Sequence, residues 1–424
     1  MIPQPPENLR STANPDRMTP ENFETQNPQP GFPVVGQAWA QDLDRDQDAG
    51  SVRTRVLHVG KFYPPHMGGI ETHLQALCRE LRKSMDVEVL VANDDHTSIE
   101  ETVDGVSVAR VPKWFTLAST PLCPAMIAKI RSYRGDILHL HLPNPMAVLA
   151  YWASGYRGRV VATYHSDMVR QKVLGTMFEP FLHAALRRSS AIITTSPNYL
   201  YSSAVLAHHF DRCHVIPLGI PLGDFSHCTP QAADAVRKEY GERLIVSVGR
   251  LVYYKGFEDL IRSMVHVQGT LLIVGEGPLR AKLEALASDL GVADRVFLLG
   301  KVDHNRLVSC YHAAKLFAFA SNARSEAFGL AQVEAMAAGL PVVNTNLDSG
   351  VPFVSLHELT GLTVPPTNPD ALAKAINRLL DDDNLRASLG AAARNRACKE
   401  FSLDLMASRT IALYERVMKM PPIN

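Results

Sequence analysis

The chain has 424 residues, of which 46% are apolar and 20% are charged, and this length favours two domains over one. Its 43 basic and 43 acidic residues balance, which argues against a nucleic-acid-binding protein because neutralising phosphates requires an excess of Lys and Arg. The six cysteines form no Cys-x-x-Cys pair, and no apolar run is long enough to span a membrane. The N-terminus has no basic segment followed by an apolar core, so we expect a cytoplasmic protein without a secretory signal.

Residues 1–52 differ in composition from the rest of the chain. They hold eight prolines between Pro3 and Pro33, and they carry 3 basic and 8 acidic side chains. Such a segment buries too little apolar surface to offset its chain entropy. We therefore predict a disordered tail without a catalytic role.

From Arg55 onward, short β-branched runs alternate with longer amphipathic stretches, which predicts a parallel sheet with helices on both faces. The predicted strands are Arg55–Val59, Asp86–Ala92, Val106–Val111, Asp136–His141, Val160–Tyr164 and Ala191–Thr195. The predicted helices include Gly69–Lys83, Leu174–Arg188 and Pro197–His208. We assign residues 53–220 to a first domain of the Rossmann-like, doubly wound type.

The alternation pauses at a Pro- and Gly-rich segment that begins at Pro217, and residues 221–242 are predicted to be a linker. It then resumes with predicted strands Leu244–Val248, Leu271–Val274, Val296–Leu298, Leu316–Ala320 and Pro341–Asn344. We assign residues 243–400 to a second Rossmann-like domain and residues 401–424 to a helix that packs back on the first. Ligands of such sheets bind beyond the carboxyl ends of the strands, so two facing domains predict one cleft between them.

Two loops that follow predicted strands contain features typical of phosphate binding. Gly68 and Gly69 lie between the first strand and its helix, where backbone amides can approach an anion. Arg250 and Lys255 follow the first strand of the second domain and could share one diphosphate. An ordinary tight turn and a pair of solvated surface cations are the alternatives at these two places.

The loop Gly275-Glu276-Gly-Pro also ends a predicted strand, but it lacks the third glycine of a dinucleotide fingerprint. It either shapes a nucleotide pocket or simply connects two elements. Glu326 and Glu334 stand eight positions apart, the first in a loop and the second on a predicted helix. A pair of glycosidase carboxylates is one interpretation, and an acidic residue at a helix N-terminus together with a solvated glutamate on the helix is another.

The spacing of Glu326 and Glu334, followed by Ala335-Met-Ala-Ala-Gly-Leu-Pro-Val-Val, resembles the E-x7-E signature of retaining GT-B-fold glycosyltransferases of family 4. The Met-Gly-Gly loop, Val248-Gly-Arg-Leu with Lys255-Gly, the Gly-Glu-Gly-Pro loop and Tyr164-His165-Ser-Asp occur in the order of that family. The resemblance covers about residues 55–418. It implies a GT-B fold, that is, two Rossmann-like domains that face each other across a cleft.

The resemblance also implies roles for individual residues. The catalytic set is His165 beside the donor sugar, Arg250 and Lys255 on the donor diphosphate, and Glu326 on the sugar hydroxyls. The implied donor-binding residues are Gly68, Gly69, Gly275, Glu276, the backbone of Phe328, Gly329 and Leu330, and Glu334 on the ribose. No metal or other cofactor is expected, since cations of the protein would face the diphosphate. His139 and His141 could ligate zinc from one strand, but no third ligand is evident in the sequence.

One segment departs from many relatives, since the chain reads Asn344-Thr-Asn-Leu-Asp-Ser-Gly-Val where an acidic residue is usual. This variant is similar to bacterial surface-polysaccharide transferases, some of which use GDP-mannose. We therefore expect a retaining hexosyltransferase that uses GDP-mannose or, as the alternative, a UDP-sugar, with Thr345–Asp348 as a specificity loop. The expected acceptor is a glycan or a polyprenyl-linked sugar, and no nucleic acid is expected as a partner.

Two other functions remain open from the sequence. A synthase or phosphorylase of small sugars on the same fold would share the donor residues, and an inactive nucleotide-sugar-binding protein would keep Arg250 and Lys255. Residues 53–220 carry 18 basic and 13 acidic side chains. Basic clusters at Arg79, Arg82 and Lys83 and at Lys129, Arg131 and Arg134 predict peripheral contact with an anionic membrane, or else they are solvated faces.

Overall fold

The computed structural model describes residues 53–66, 68–117, 120–167 and 172–421, with the side chains of 172–177 excepted. The predicted disordered tail, residues 1–52, lies outside the described residues. Within the described residues, no helix is both long and apolar enough to cross a membrane.

The first part of the chain forms an eight-stranded sheet and a separate two-stranded hairpin. In chain order the strands are β1 (Arg55–Val59), β2 (Asp86–Ala92), β3 (Ile99–Val103), β4 (Val106–Val111), β5 (Phe115–Leu117), β6 (Thr120–Leu122), β7 (Ile137–Leu142), β8 (Arg159–Tyr164), β9 (Ala191–Thr194) and β10 (Cys213–Val215). The sheet has the order β10-β9-β8-β7-β1-β2-β4-β3. Only β3 runs antiparallel in it, and β5 pairs with β6 in the hairpin. Strand β7 is buried along its whole length, as expected for a strand covered on both faces.

Six helices accompany this sheet: α1 (Gly69–Leu81), α2 (Ala125–Ser132), α3 (Pro145–Ser154), α4 (Lys172–Arg187), α5 (Pro197–Ser202) and α6 (Ala204–Ala207). The single helix predicted over Pro197–His208 is wrong, because the chain breaks at Ser203. This residue has an extended backbone, and its side chain accepts a hydrogen bond from the amide of Leu206. Serine in this role ends one helix and caps the next.

The second sheet has six parallel strands: β11 (Leu244–Val248), β12 (Thr270–Val274), β13 (Val296–Gly300), β14 (Leu316–Phe319), β15 (Val342–Thr345) and β16 (Gly361–Val364). Their order is β13-β12-β11-β14-β15-β16, which is the 3-2-1-4-5-6 order of dinucleotide-binding folds. In both sheets the order reverses beside the first strand, between β1 and β7 and between β11 and β14. Ligands of doubly wound sheets bind outside the carboxyl ends of the strands at such points.

The remaining helices are α7 (Gly223–Ser226), α8 (Pro230–Tyr240), α9 (Phe257–Ser263), α10 (Arg280–Asp289), α11 (His304–Ala313), α12 (Leu330–Ala337), α13 (Val351–Val354), α14 (Pro369–Asp381), α15 (Asp383–Glu400) and α16 (Leu403–Lys419). Residues 221–242, predicted as a linker, therefore contain α7 and α8. Helix α8 buries only Ala233 and Val236, which lie in the core of the second sheet. With so few apolar residues, its sequence looks like a polar connection.

The last helix, α16, packs on the first sheet. Its apolar residues from Leu403 to Val417 share a core with residues of α1, β1 and β2. Arg159, at the start of β8, donates hydrogen bonds to backbone carbonyls at the end of α16. We refer to residues 53–219 together with α16 as the N-terminal lobe and to residues 221–401 as the C-terminal lobe. The chain passes between the lobes twice. The two connecting segments form a parallel β-bridge between Ile220 and Ser402.

Candidate active site

The C-terminal lobe positions Lys255 through a short turn after β11. A 3₁₀ turn covers Tyr253–Lys255, and Gly256 follows it with a φ of +66°. A Cβ atom on Gly256 would lie 1.8 Å from the carbonyl oxygen of Ala320, so only glycine allows this turn to rest against the end of β14. The turn thus places Lys255 beside the loop that follows β14.

That loop carries Glu326, whose carboxylate is the partner of Lys255. The Nζ atom of Lys255 lies 2.6 Å from Oε2 of Glu326 and 4.9 Å from the ring centre of Phe319. Both side chains are largely buried, and the hydroxyl of Ser321 lies 3.4 Å from the same oxygen of Glu326. The pair can offer one cation and one acceptor of sugar hydroxyls at the same point of the sheet.

Arg250, Gly275 and Glu276 lie on the neighbouring loops. Arg250 lies two residues after the end of β11 and is exposed. Gly275 has a φ of +139°, and a Cβ there would lie 2.1 Å from the carbonyl oxygen of Gly249, so the loops after β11 and β12 touch backbone to backbone. The exposed carboxylate of Glu276 pairs with Arg280 on α10 at 3.3 Å. Of these three, Arg250 has the side chain that could meet a diphosphate.

Helix α12 starts next to this cluster. Gly329 precedes its first residue, Leu330, with a φ of +85°. The ring of Phe328 is buried against Phe401, so Phe328 can face a ligand only through its backbone. A helix start of this kind presents backbone amides and a partial positive charge, which suits a phosphate.

Glu334 lies on the second turn of α12. Its Oε2 atom accepts a hydrogen bond of 2.7 Å from the hydroxyl of Tyr311. Burial raises the pKa of Glu334, and the hydrogen bond from Tyr311 acts in the opposite direction. The carboxylate keeps its second oxygen for another donor, such as a ribose hydroxyl.

The N-terminal lobe places Gly68 and Gly69 at the start of α1. The backbone of Gly68 is extended, a conformation that any residue adopts. A Cβ on Gly69 would meet no described atom within 4 Å. Gly69 therefore leaves the helix start open, whereas a Cβ on Gly68 would lie 2.3 Å from a carboxylate oxygen of Glu71.

His165 follows β8 and belongs to a group of buried histidines. The group comprises His58 on β1, His73 on α1, His139 and His141 on β7, and His165. Burial lowers the pKa of His58 to about 3 and of His73 to about 4, and it lowers the pKa values of the other three well below the usual range. All five rings are therefore neutral at pH 7.

The structure supplies the third histidine that the sequence did not reveal next to His139 and His141. The ring nitrogens of His58, His139 and His141 lie within 4.8 Å of one another, and so do those of His73, His141 and His165. The partners come from β1, α1 and the end of β8, which are distant in the sequence. The expectation that no metal is required stays a prediction.

One contact between the lobes was not predicted. Arg324, two residues before Glu326, donates a hydrogen bond of 2.8 Å to Asp167, two residues after His165. The guanidinium also lies over the ring of Tyr199, 5.2 Å from its centre. This contact brings the loops that carry His165 and Glu326 together across the cleft. In the sequence Asp167 was noted only as part of a motif, and nothing marked Arg324 as its partner.

The proposed specificity loop also reaches the N-terminal lobe. The hydroxyl of Ser202 donates a hydrogen bond of 3.0 Å to the backbone carbonyl of Asp348. Thr345, at the other end of the loop, donates to the carbonyl of Ser321 at 2.5 Å. The loop therefore lies between β14 and the N-terminal lobe.

Two family models match the chain. Residues 67–224 match Glycosyltransferase Family 4, and residues 230–396 match Glycosyl transferases group 1. D-rhamnosyltransferase WbpZ of Pseudomonas aeruginosa is 31% identical over 81% of this chain and 91% of its own length. The chain belongs to the group 1 glycosyltransferases of family 4.

Other relatives agree with this assignment, and a solved structure shares the fold. O-antigen chain mannosyltransferase C of Escherichia coli is 28% identical over 86% of this chain and 99% of its own. A GDP-mannose-dependent phosphatidylinositol monomannoside mannosyltransferase of Corynebacterium glutamicum is 29% identical over 85% of this chain and 97% of its own. The sucrose-phosphate synthase structure from Thermosynechococcus elongatus superposes with a TM-score of 0.72 and 24% identity over 86% of this chain and 99% of its own. The predicted GT-B fold is confirmed.

Proposed function

We propose that this glycosyltransferase moves mannose from GDP-mannose to a glycan or lipid-linked acceptor of a surface polysaccharide, with retention of anomeric configuration and without a metal ion. The observation that carries the proposal is the Lys255–Glu326 pair at the point where the strand order of the C-terminal sheet reverses. The Arg324–Asp167 contact brings this pair towards the loop of His165.

The choice of donor and acceptor is supported by the relatives. One acts in O-antigen chain synthesis as a mannosyltransferase, and another is GDP-mannose-dependent and acts on a phosphatidylinositol mannoside. A UDP-sugar is the alternative donor. The loop Thr345–Asp348, which contacts both lobes, is the segment that we propose to select between donors.

The proposed chemistry depends on charge that develops on the leaving diphosphate. As the bond to the sugar breaks, Lys255, Arg250 and the amides at the start of α12 would stabilise the growing negative charge. Glu326 and His165 would hold the sugar, and Glu334 the ribose. In this arrangement the positive charge comes from the protein, so a divalent cation is not needed.

The experiment is a donor and acceptor panel. The full chain is incubated with radiolabelled GDP-mannose, UDP-glucose and UDP-N-acetylglucosamine, together with a bacterial lipid extract, and the products are separated. We expect label from GDP-mannose in the lipid fraction, with an α-linkage by NMR. Label only from a UDP-sugar would overturn the donor, and a free disaccharide as the main product would favour a small-sugar synthase.

We further propose that the N-terminal lobe rests on an anionic membrane through the hairpin β5–β6 and helix α2. Trp114, Phe115 and Leu117 are each more than half exposed on or next to this hairpin. The chain continues from the hairpin directly into α2, which carries Lys129 and Arg131. Apolar side chains beside basic ones are typical of a surface that lies on lipid headgroups.

The basic clusters named from the sequence are partly engaged within the protein. Lys129 pairs with Glu100, and Lys83 pairs with Glu80. Arg131 donates hydrogen bonds to backbone carbonyls of Ala153 and Ser154. The apolar hairpin therefore becomes the larger part of the proposed contact.

Co-sedimentation with vesicles tests this contact. The wild type should bind vesicles rich in phosphatidylglycerol and not pure phosphatidylcholine, and Trp114→Ser should weaken binding. Leu359→Ser is the matched control, because Leu359, like Trp114, is an apolar residue that is more than half exposed, but it lies in the C-terminal lobe. Equal loss in both variants, or no binding to either lipid, would contradict the proposal.

A further inference from the structure

Six buried side chains form one line of hydrogen bonds across the N-terminal lobe and end at His165. His165 Nε2 lies 3.2 Å from His141 Nδ1, and His141 Nε2 lies 3.0 Å from His58 Nδ1. The hydroxyl of Tyr414, on α16, lies 3.5 Å from His58 Nε2 and 2.5 Å from His139 Nδ1. His139 Nε2 then lies 2.7 Å from the hydroxyl of Thr163.

Each group in this line can donate only one hydrogen bond within it. A neutral imidazole has one N–H donor and one bare nitrogen, and a tyrosine hydroxyl donates a single proton. Burial keeps these rings neutral, since it lowers the pKa of each of them.

Only two arrangements satisfy the whole line. In the first, every group donates towards Thr163, so Nε2 of His165 carries the proton and its Nδ1 is an acceptor. In the second, every group donates towards His165, whose Nδ1 then carries the proton and is a donor. Any mixed arrangement leaves at least one buried N–H group, one bare ring nitrogen or the hydroxyl proton of Tyr414 without a partner in the line, which is unfavourable.

We propose that Tyr414, His58 and His141 are positioning residues that set which nitrogen of His165 carries the proton and hold its ring in place. The inference rests on the proposed function in one respect, namely that His165 meets the donor sugar. Among the described residues, Nδ1 of His165 has no hydrogen-bond partner. That nitrogen is the one that would meet a sugar hydroxyl, so the direction of the line that passes through Tyr414 decides whether it donates or accepts.

Together with His73, the histidines of the line form two groups of three whose nitrogens are close enough to bind one metal ion. Hydrogen bonds already use both nitrogens of His58, His139 and His141. The line therefore accounts for these three rings without an ion. His73 stands outside the line, since both of its buried nitrogens lack a described partner.

The test is Tyr414→Phe in the full chain, which removes one hydroxyl and keeps the ring. In ¹⁵N-histidine NMR spectra, the wild type should show a single tautomer of His165, whereas the variant should show a mixture of the Nδ1–H and Nε2–H tautomers. The value of kcat with the sugar donor should fall about fivefold, as expected for one lost hydrogen bond in a positioning network.

The matched control is Tyr133→Phe. Tyr133 is also buried on this sheet, but its hydroxyl donates to the backbone carbonyl of Arg55 at 2.9 Å, outside the line. We expect Tyr133→Phe to lower stability without changing the tautomer of His165 or kcat. If both variants change the tautomer equally, or if neither does, the proposal is wrong.

A second arm asks whether Tyr414 acts through His165. In a His165→Asn background, Tyr414→Phe should have no further effect on kcat. An equal fold-loss in both backgrounds would contradict the proposal. If Tyr414→Phe does not fold, His58→Leu interrupts the same line and gives the same NMR readout. Because the tautomer is measured without a donor, failure of this inference is distinguishable from a wrong donor.

Discussion

The two lobes build their sides of the cleft in opposite ways. The C-terminal lobe presents charged side chains that lie on the loops after β11 and β14 and pair with each other, as Lys255 does with Glu326. The N-terminal lobe presents neutral histidines that come from four separate elements and from no single motif. Under the proposed function, the difference matches what Lys255 and His165 would each meet, which is an anionic diphosphate for Lys255 and an uncharged sugar for His165.

Burial explains why the histidine side stays neutral. Charged imidazoles lose hydration in the core, so the pKa values of all five rings fall. Lys255 is also largely buried, but it has a carboxylate at 2.6 Å. A buried charge is retained where a partner compensates its desolvation.

The largest effect should come from the cationic side. Lys255→Ala and Arg250→Ala should each lower kcat/KM at least tenfold, because a hydrogen bond to a charged group contributes about 1.5–3 kcal/mol. The measurement is steady-state kinetics with the sugar donor. The control is Lys282→Ala, since Lys282 is exposed and pairs with Glu258 away from the cleft. Near-normal kinetics in either cleft variant would remove that residue from the diphosphate site.

The two glutamates should separate into different kinetic effects. Glu326→Gln should mainly lower kcat, because the hydrogen bonds that Glu326 would make to the sugar in the proposed function strengthen as the transition state forms. Glu334→Gln should mainly raise the donor's KM, because a ribose contact is the same before and during the reaction.

Kinetics of both variants are compared with those of Glu358→Gln, whose exposed carboxylate pairs with Arg378. The opposite pattern, with kcat lowered chiefly by Glu334→Gln, would reverse the two roles. A wild type that hydrolyses an aryl glycoside efficiently without nucleotide would instead indicate a glycosidase pair.

The contact between the lobes should have a smaller effect. Arg324→Gln should lower kcat/KM about threefold, since a partly exposed ion pair contributes up to about 1 kcal/mol. Salt screens such a pair, so raising the ionic strength should reduce the activity of the wild type more than that of the variant. Arg378→Gln breaks an ion pair within the C-terminal lobe and serves as the control. If the two variants respond alike, the contact has no role in joining the loops.

No loss of activity is expected on metal removal. Excess EDTA should leave kcat and KM unchanged, because in the proposed function side chains and a helix start would supply the positive charge at the diphosphate. Loss of activity that Mg²⁺ or Mn²⁺ restores would show that the cationic side of the cleft is incomplete without an ion.

Much of the fold was predictable, because the runs that form it are local and strongly patterned. Strands β1, β2, β4 and β11 have the bounds that the sequence predicts. Strand β3, with four exposed residues of five, lacks the apolar pattern by which strands are recognised. Strand β16 has only four residues and starts at Gly361, so it is too short to show a clear period. The break at Ser203 depends on a side-chain cap, which periodicity does not report.

The sequence by itself determined the family, the two sheets and the order of the charged motifs, because each motif lies within a few residues of the strand that positions it. Only the tertiary structure decided which side chains meet across large separations. Arg324 contacts Asp167 because two loops face each other across the cleft. Tyr414 contacts His58 and His139 because α16 packs on the first sheet. Such contacts leave no local pattern, since their partners are brought together by packing rather than by spacing.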